Sequence, residues 1–322
     1  MNKVKDCILG IDTSNYKTSA AVIDSESRIL CDLRTLLKVK QGERGLRQSD
    51  ALFQHMENLP ILIQQAMAEG RQKRIGAVAC SDRPRPAEGS YMPVFKAGMG
   101  FGQAISAALQ VPYYTFSHQE GHIEAVRAYS SLRDSRFLCY HLSGGTCELL
   151  NVDGANIRII GGSKDLSFGQ VIDRVGVRLG MAFPAGEEMD RRAQAADSPS
   201  VLLKRIQAQG LFFNLSGIET QCGRQAENML KQHRPDEILS GLIRELFDRM
   251  AGILIEITQR AVDKTSVHDI LFTGGVSSSR YIRSRLEARF RHTRINITFG
   301  QPQLSQDNAV GIALLGGEKL WQ

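Results

Sequence analysis

This chain predicts an α/β protein built as two similar halves, on three observations. The order strand-strand-strand-helix-strand-helix occurs twice, glycine and hydroxyl residues follow several strands, and 322 residues exceed one ordinary core. Two lobes facing each other across a cleft are expected, at 1–135 and 136–322. A hydrophobic share of 42% beside 23% charged residues is that of a globular protein, and the net charge of +6 permits an anionic partner without requiring one. Six cysteines with no Cys-x-x-Cys pair indicate neither a zinc knuckle nor a disulfide framework, and fit reduced thiols. The apolar run near the N-terminus is too short for a signal peptide, and no window approaches the ~18 apolar residues of a membrane helix. A cytoplasmic location is the expectation.

In the first half, residues 7–13, 18–23 and 28–36 read as strands. Leu52, Met56, Leu59, Ile63 and Met67, spaced by three and four, then predict a helix buried along that stripe. A strand at 75–80, an irregular Pro/Arg loop at 81–93, a Gly/Ala-rich helix at 94–109 and a strand at 111–116 follow. The order restarts with strands at 137–142, 147–152 and 157–160 and helices near 168–179 and 187–196. Leu239, Leu242, Leu246, Ile253 and Ile257 mark a long core helix. A strand at 269–273, an arginine-rich helix, a strand at 295–299 and a closing helix from 307 complete the second half. Arg280, Arg283, Arg285, Arg289, Arg291 and Arg294 crowd the arginine-rich segment, while Ile282, Leu286 and Phe290 bury its other face. A solvated helix face is favoured there over a nucleic-acid footprint.

The strand at 111–116 runs into His118-Gln119-Glu120-Gly121-His122. On a helix, histidines four apart stack on one face and can grip a single metal ion. Imidazole suits Zn, Fe, Ni or Cu, and further ligands must come from elsewhere in the chain. Two surface histidines four apart by coincidence is the competing reading. A zinc peptidase is disfavoured, because Gln119 stands where that chemistry wants Glu, and the carboxylate comes one place later at Glu120.

Three turns suit phosphate. Ser143-Gly144-Gly145-Thr146 and Gly274-Gly275-Val276-Ser277-Ser278-Ser279 each follow a strand, and Asp12-Thr13-Ser14 ends the first one. Singly, such turns are ordinary hairpins or helix starts; together in a repeated framework they point to a nucleotide cleft. Asp173, Glu187, Glu188 and Asp190 flank Phe183-Pro184-Ala185-Gly186, either as acceptors for ribose hydroxyls or as helix-surface carboxylates. Asp307-Asn308 before the closing helix is by default an N-cap and a first-turn residue.

Seven motifs in order carry a family resemblance: LGIDTS at 9–14, HQEGH at 118–122, LSGGT at 142–146, IDRVGVRLGMAFPAGEEMDRRA at 172–193, FNLSGIET at 213–220, GGVSSSR at 274–280 and QDNAVGIA at 306–313. The chain resembles the tRNA threonylcarbamoyladenosine transferase family, TsaD type, formerly called glycoprotease-like. That resemblance implies a duplicated actin-like (ASKHA, ribonuclease-H-like) two-lobed fold with a central cleft. It also implies a helical insertion in the second lobe and a last helix packing back toward the first.

It further implies that His118, His122 and Asp307 bind one divalent metal, Fe2+ before Zn2+. His141, Leu142, Ser143, Gly144, Gly145, Asp173 and Gly186 would hold the adenylate of threonylcarbamoyl-AMP, with Ser279 at the usual nucleotide-contacting Asn. The family moves the threonylcarbamoyl group to the exocyclic amine of the adenosine beside the anticodon, so tRNA and helper subunits are the implied partners. No residue is assigned as catalytic.

The chain departs from the family pattern at several places. Asn15-Tyr16-Lys17 replaces an acidic pair, residues 83–90 replace a Gly-Pro-Gly loop, Glu219 stands at a usual Lys, and Ala185 stands at the first Gly of a Pro-Gly-Gly turn. These departures read as a divergent paralogue that keeps its donor site. Transfer to another acceptor, or a non-catalytic nucleotide-binding subunit, are the alternatives. A sugar kinase on the same fold would leave His118 and His122 unexplained.

Overall fold

A computed structural model describes residues 6–14, 16–39, 46–69, 74–132, 136–154 and 156–321. Asn15, the first residue of the altered Asn15-Tyr16-Lys17 segment, lies outside them. The chain divides into two compact units, Met1–Ser131 with Gln303–Gln322, and Leu132–Pro302.

The first unit holds β1 (Cys7–Asp12), β2 (Lys17–Ile23), β3 (Ile29–Leu36), α1 (Gln48–Glu69), β4 (Ile75–Arg83), α2 (Phe95–Leu109), β5 (Tyr113–Ser117) and α3 (His118–Arg127). The second holds β6 (Phe137–Leu142), β7 (Cys147–Asp153), β8 (Asn156–Ser163), α4 (Phe168–Arg178), α5 (Gly186–Ala195), β9 (Ala208–Gln209), β10 (Phe212–Phe213), α6 (Ser216–Lys231) and α7 (Asp236–Thr265). It continues with β11 (Asp269–Thr273), α8 (Arg280–Phe290) and β12 (Asn296–Phe299). The short α9 (Pro302–Ser305) leads to α10 (Val310–Trp321), which belongs to the first unit.

The first sheet is ordered β3-β2-β1-β4-β5, with β1, β2 and β3 antiparallel and β1, β4 and β5 parallel. In the second sheet, β8-β7-β6-β11-β12 repeats that order and those directions. The repeat read from the sequence is therefore a repeat of topology. Where α1 alone among the described residues separates β3 from β4, helices α4 to α7 and the β9-β10 hairpin separate β8 from β11, which is the helical insertion. Both central strands, β1 and β6, are buried along their whole length. Strands covered on both faces read as continuous apolar runs, and these two do.

Two expectations need correction. The stripe Leu52, Met56, Leu59, Ile63, Met67 is not the buried face of α1; Ala51, His55, Leu59, Leu62 and Ala66 are, and Met56 is 47% exposed. Leu59, Leu62 and Ala66 pack on the sheet, Ala51 packs with Leu37, Val94 and Phe95, and His55 reaches Thr18 of β2 (Nδ1 to Oγ1, 2.9 Å). Leu52, Ile63 and Met67 therefore flank a contact centred on Leu59 and Leu62. The second correction is that α6 and the β9-β10 hairpin were not foreseen. Strands of two residues carry no alternation, and the buried face of α6 mixes Gly223 and Ala226 with Ile218, Glu219, Cys222 and Met229.

All six cysteines are buried and none is in a disulfide. Burial pushes the Cys31 thiol up to about 11 and those of Cys80 and Cys147 up to about 12, so none of these three is a thiolate at neutral pH. Among the described residues no helix is long and apolar enough to cross a membrane.

Candidate metal centre

Strand β5 passes directly into α3 because Ser117 and Glu120 form a capping box. Ser117 Oγ accepts from the Glu120 N–H (3.2 Å) and Glu120 Oε2 accepts from the Ser117 N–H (2.7 Å). Glu120 is thereby committed to the helix start. His118 opens the first turn and His122 follows one turn later, with ring centroids 4.4 Å apart. The Pro/Arg loop leans on the same turn, since Pro84 O accepts from the Gln119 N–H (3.0 Å).

Asp307 comes from the far end of the chain. The N-terminal cap of α10 is Asn308, whose Oδ1 accepts from the N–H groups of Val310 (2.9 Å) and Gly311 (3.3 Å). Asp307, released from that task, lies 3.3 Å from His122 Nε2 and 3.7 Å from His118 Nε2 through Oδ1, and the two Nε2 atoms are 3.0 Å apart. Two ligand atoms about 2.1 Å from one tetrahedral ion stand roughly 3.4 Å apart. One nitrogen from each of His118 and His122 and one carboxylate oxygen of Asp307, all within 4.8 Å of one another, thus fit a single cation.

Sequence reading missed Asp12 as part of this site and took it for a phosphate turn. Fully buried at the end of β1, Asp12 accepts the His118 Nδ1 proton (2.9 Å). That bond fixes the tautomer that leaves Nε2 free for a metal, a carboxylate–histidine–metal relay. The electrostatics agree. Burial opposes charge on His118, but the charges and hydrogen bonds of Asp12 and Asp307 raise its pKa to about 10. Burial would raise Asp307, yet its hydrogen bonds to both histidines hold it well below the usual carboxylate range. Burial, with the charge of His118, lowers His122. The two carboxylates that favour a proton on His118 would equally favour a metal cation in its place at Nε2.

Lys17, known from the sequence only as a departure from an acidic pair, opens β2 and donates to Gln306 Oε1 at 2.5 Å, one residue before Asp307. Burial lowers its pKa, while the Asp307 charge works the other way.

In the second unit, His141 and Leu142 end β6, and Ser143 to Thr146 turn the β6–β7 hairpin: Thr146 O accepts from the Ser143 N–H (2.8 Å) and Ser143 Oγ from the Thr146 N–H (3.0 Å). Gly144 and Gly145 are exposed. Gly144 O accepts from Ser167 Oγ (2.6 Å), the N-cap of α4. Asp173 on α4 accepts from the Ala185 N–H (2.8 Å), and burial raises its pKa; Gly186 opens α5 immediately after. Gly274, at φ 91°, lies flat against the Leu142 backbone, where any Cβ would collide.

After Gly274 the chain makes a 3-10 turn (Gly275–Ser278), and Ser279 caps α8 by accepting from the Ile282 N–H (3.1 Å). Ser279 Oγ also donates to Asp190 Oδ1, and Asp190 accepts from the N–H groups of Arg280 and Tyr281 (3.1 Å each). A carboxylate of the chain itself thus occupies amides that the sequence offers to an anion. Glu219 pairs with Arg178 (3.0 Å).

A family model described as TsaD, tRNA N6-adenosine threonylcarbamoyltransferase, matches residues 36–314. Curated relatives named tRNA N6-adenosine threonylcarbamoyltransferase include one from Neorickettsia sennetsu, 27% identical over 97% of this chain and 93% of the relative. Another, from Thermus thermophilus, is 28% identical over 95% and 91%. Component A of (R)-2-hydroxyglutaryl-CoA dehydratase from Acidaminococcus fermentans shares the fold, with TM-score 0.58 at 13% identity over 98% of this chain and all of that one. A ROK family glucokinase from Streptomyces griseus does so with TM-score 0.51 at 14% identity over 96% and 98%. The duplicated sheets are those of the actin-like (ASKHA) proteins. With seven ordered motifs and a family match over most of its length, the chain belongs to the TsaD family of tRNA N6-adenosine threonylcarbamoyltransferases.

Proposed function

We propose that this enzyme transfers a threonylcarbamoyl group from threonylcarbamoyl-AMP to the exocyclic amine of the tRNA adenosine beside the anticodon, and that it needs a metal ion to do so. The observation that carries the reading is the His118–His122–Asp307 donor set at ligand spacing with Asp12 behind it, in a chain of this family. Fe2+ is the first candidate and Zn2+ the second; when bound, such an ion supplies a Lewis acid for the carbamoyl carbonyl. Asp12 orients His118, and Asn308 takes over helix capping so that Asp307 stays available.

His141, Leu142, Ser143, Gly144, Gly145, Asp173, Gly186 and Ser279 are proposed to hold the adenylate, which leaves as AMP when the amine attacks. For Ser279 this requires sharing its hydroxyl with Asp190. Helper subunits are proposed as partners, since Phe53, Met56 and Ile61 leave an apolar face of α1 exposed. A cytoplasmic location fits a tRNA acceptor.

The test is metal content and tRNA-dependent AMP release for anaerobically purified wild type and His118→Ala. About one ion per chain and acyl transfer to unmodified tRNA are expected, both lost in the variant. Equal metal in the two proteins refutes the site. A second reading, transfer from the same donor to another amine, is favoured by the 83–90 loop, which differs from the family's and leans on α3. Small amines that release AMP where tRNA does not would select it.

A further inference from the structure

Lys17 is a half-buried ammonium beside the metal ligands with no carboxylate in ion-pairing distance among the described residues. One of its N–H groups goes to the neutral amide oxygen of Gln306 at 2.5 Å, and Gln306 adjoins Asp307. Its neighbour Arg34 differs: that guanidinium is paired with Asp32 and donates to Gln303 O (2.6 Å). On the same β1–β2 turn, Ser14 is 4% exposed and its hydroxyl makes no hydrogen bond among the described residues. Lys17 keeps N–H donors beyond the one given to Gln306, next in sequence to the ligand Asp307.

We propose that Lys17 binds an oxyanion of the acyl donor. This inference rests on the transfer reading given above. In threonylcarbamoyl-AMP the threonyl carboxylate and the acyl phosphate each lie a few covalent bonds from the carbamoyl carbonyl. Either would lie close to the triad if that carbonyl sits there, on the side where Lys17 meets Gln306.

The two sources are separable by equilibrium binding to metal-loaded protein in the absence of any acceptor, comparing wild type, Lys17→Met and Lys17→Arg. The probes are threonylcarbamoyl-AMP, which has both anions, and carbamoyl-AMP, which lacks the carboxylate. Loss of a charge-assisted hydrogen bond should weaken binding roughly tenfold to a hundredfold in Lys17→Met, with metal content unchanged and partial recovery in Lys17→Arg. Weakening for threonylcarbamoyl-AMP alone assigns the carboxylate, and weakening for both assigns the phosphate. Equal dissociation constants in wild type and Lys17→Met for both compounds, or no binding by either protein, overturn the proposal. Acceptor turnover is measured separately, so failure of the transfer reading shows as tight donor binding without acyl transfer.

Discussion

Gly311 lies flush against Gly121: a Cβ on Gly311 would overlap the carbonyl oxygen of Gly121 and approach the Ala125 amide to 2.9 Å. In return, a Cβ on Gly121 would come within 2.8 Å of Ile312 Cδ1. Helices α3 and α10 thus touch backbone to backbone, and this contact sets how near Asp307 comes to His118 and His122. Gly311→Ala must push the helices apart, because the obstacle is main chain rather than a flexible side chain. The expected result is loss of tight metal binding and a destabilisation of about 1–3 kcal/mol, the usual cost of overpacking. Metal analysis after gel filtration and a urea melt check both; full metal occupancy in Gly311→Ala would show that the helix spacing does not govern the site.

Asp12→Asn keeps the shape of the group behind His118 but removes its charge, and it lets the imidazole rotate or change tautomer. Outer carboxylates behind metal-bound histidines typically contribute 10–100-fold in affinity. A chelator competition titration should show a loss of that order. Unchanged affinity would reduce Asp12 to a packing role.

How far the site was legible follows from these residues. His118 and His122 were visible because both ligands sit on one helix at a fixed spacing. Asp307 was not, since nothing local distinguishes a ligand from an N-cap; family likeness supplied it, and the structure explains it by giving the cap to Asn308. The role of Asp12 escaped because it depends on a contact across 106 residues, and Lys17 stood out only as a departure because its contact with Gln306 spans 289. The strands were legible from their apolar runs. The contact face of α1 was legible only at Leu59, because periodicity weighs Leu and Met above the Ala51, His55 and Ala66 that share it with Leu59 and Leu62.

Asp190 should matter to the second unit without touching the metal. Its carboxylate accepts from Arg280 N–H, Tyr281 N–H and Ser279 Oγ, fastening α5 to the start of α8. Asp190→Ala removes a charged cap and leaves two amides without their acceptor, a loss of about 1–3 kcal/mol. Asn should recover part of that, having one acceptor oxygen in the same place. Urea unfolding measures the effect, and metal content is expected to stay at the wild-type level. A fall in metal content equal to that of His118→Ala would contradict the assignment of ligands to the first unit alone.

His55 makes stability depend on acidity. Burial against the first sheet, opposed weakly by the Asp12 charge, lowers its pKa from 6.5 to about 4. The folded state therefore refuses a proton that the unfolded chain accepts. Its contribution is fully present above the unfolded pKa and is lost as pH falls from 6.5 toward 4, with no further loss below that. At 1.36 kcal/mol per unit, the loss between about pH 7.5 and 5 is roughly 2 kcal/mol. His55→Gln cannot titrate, so its unfolding free energy should fall less over that interval by about that amount, whatever its stability at pH 7.5 after losing the imidazole beside Thr18. Denaturant melts of both proteins at the two pH values give the double difference. Parallel losses would mean that His55 titrates alike in the folded and unfolded states.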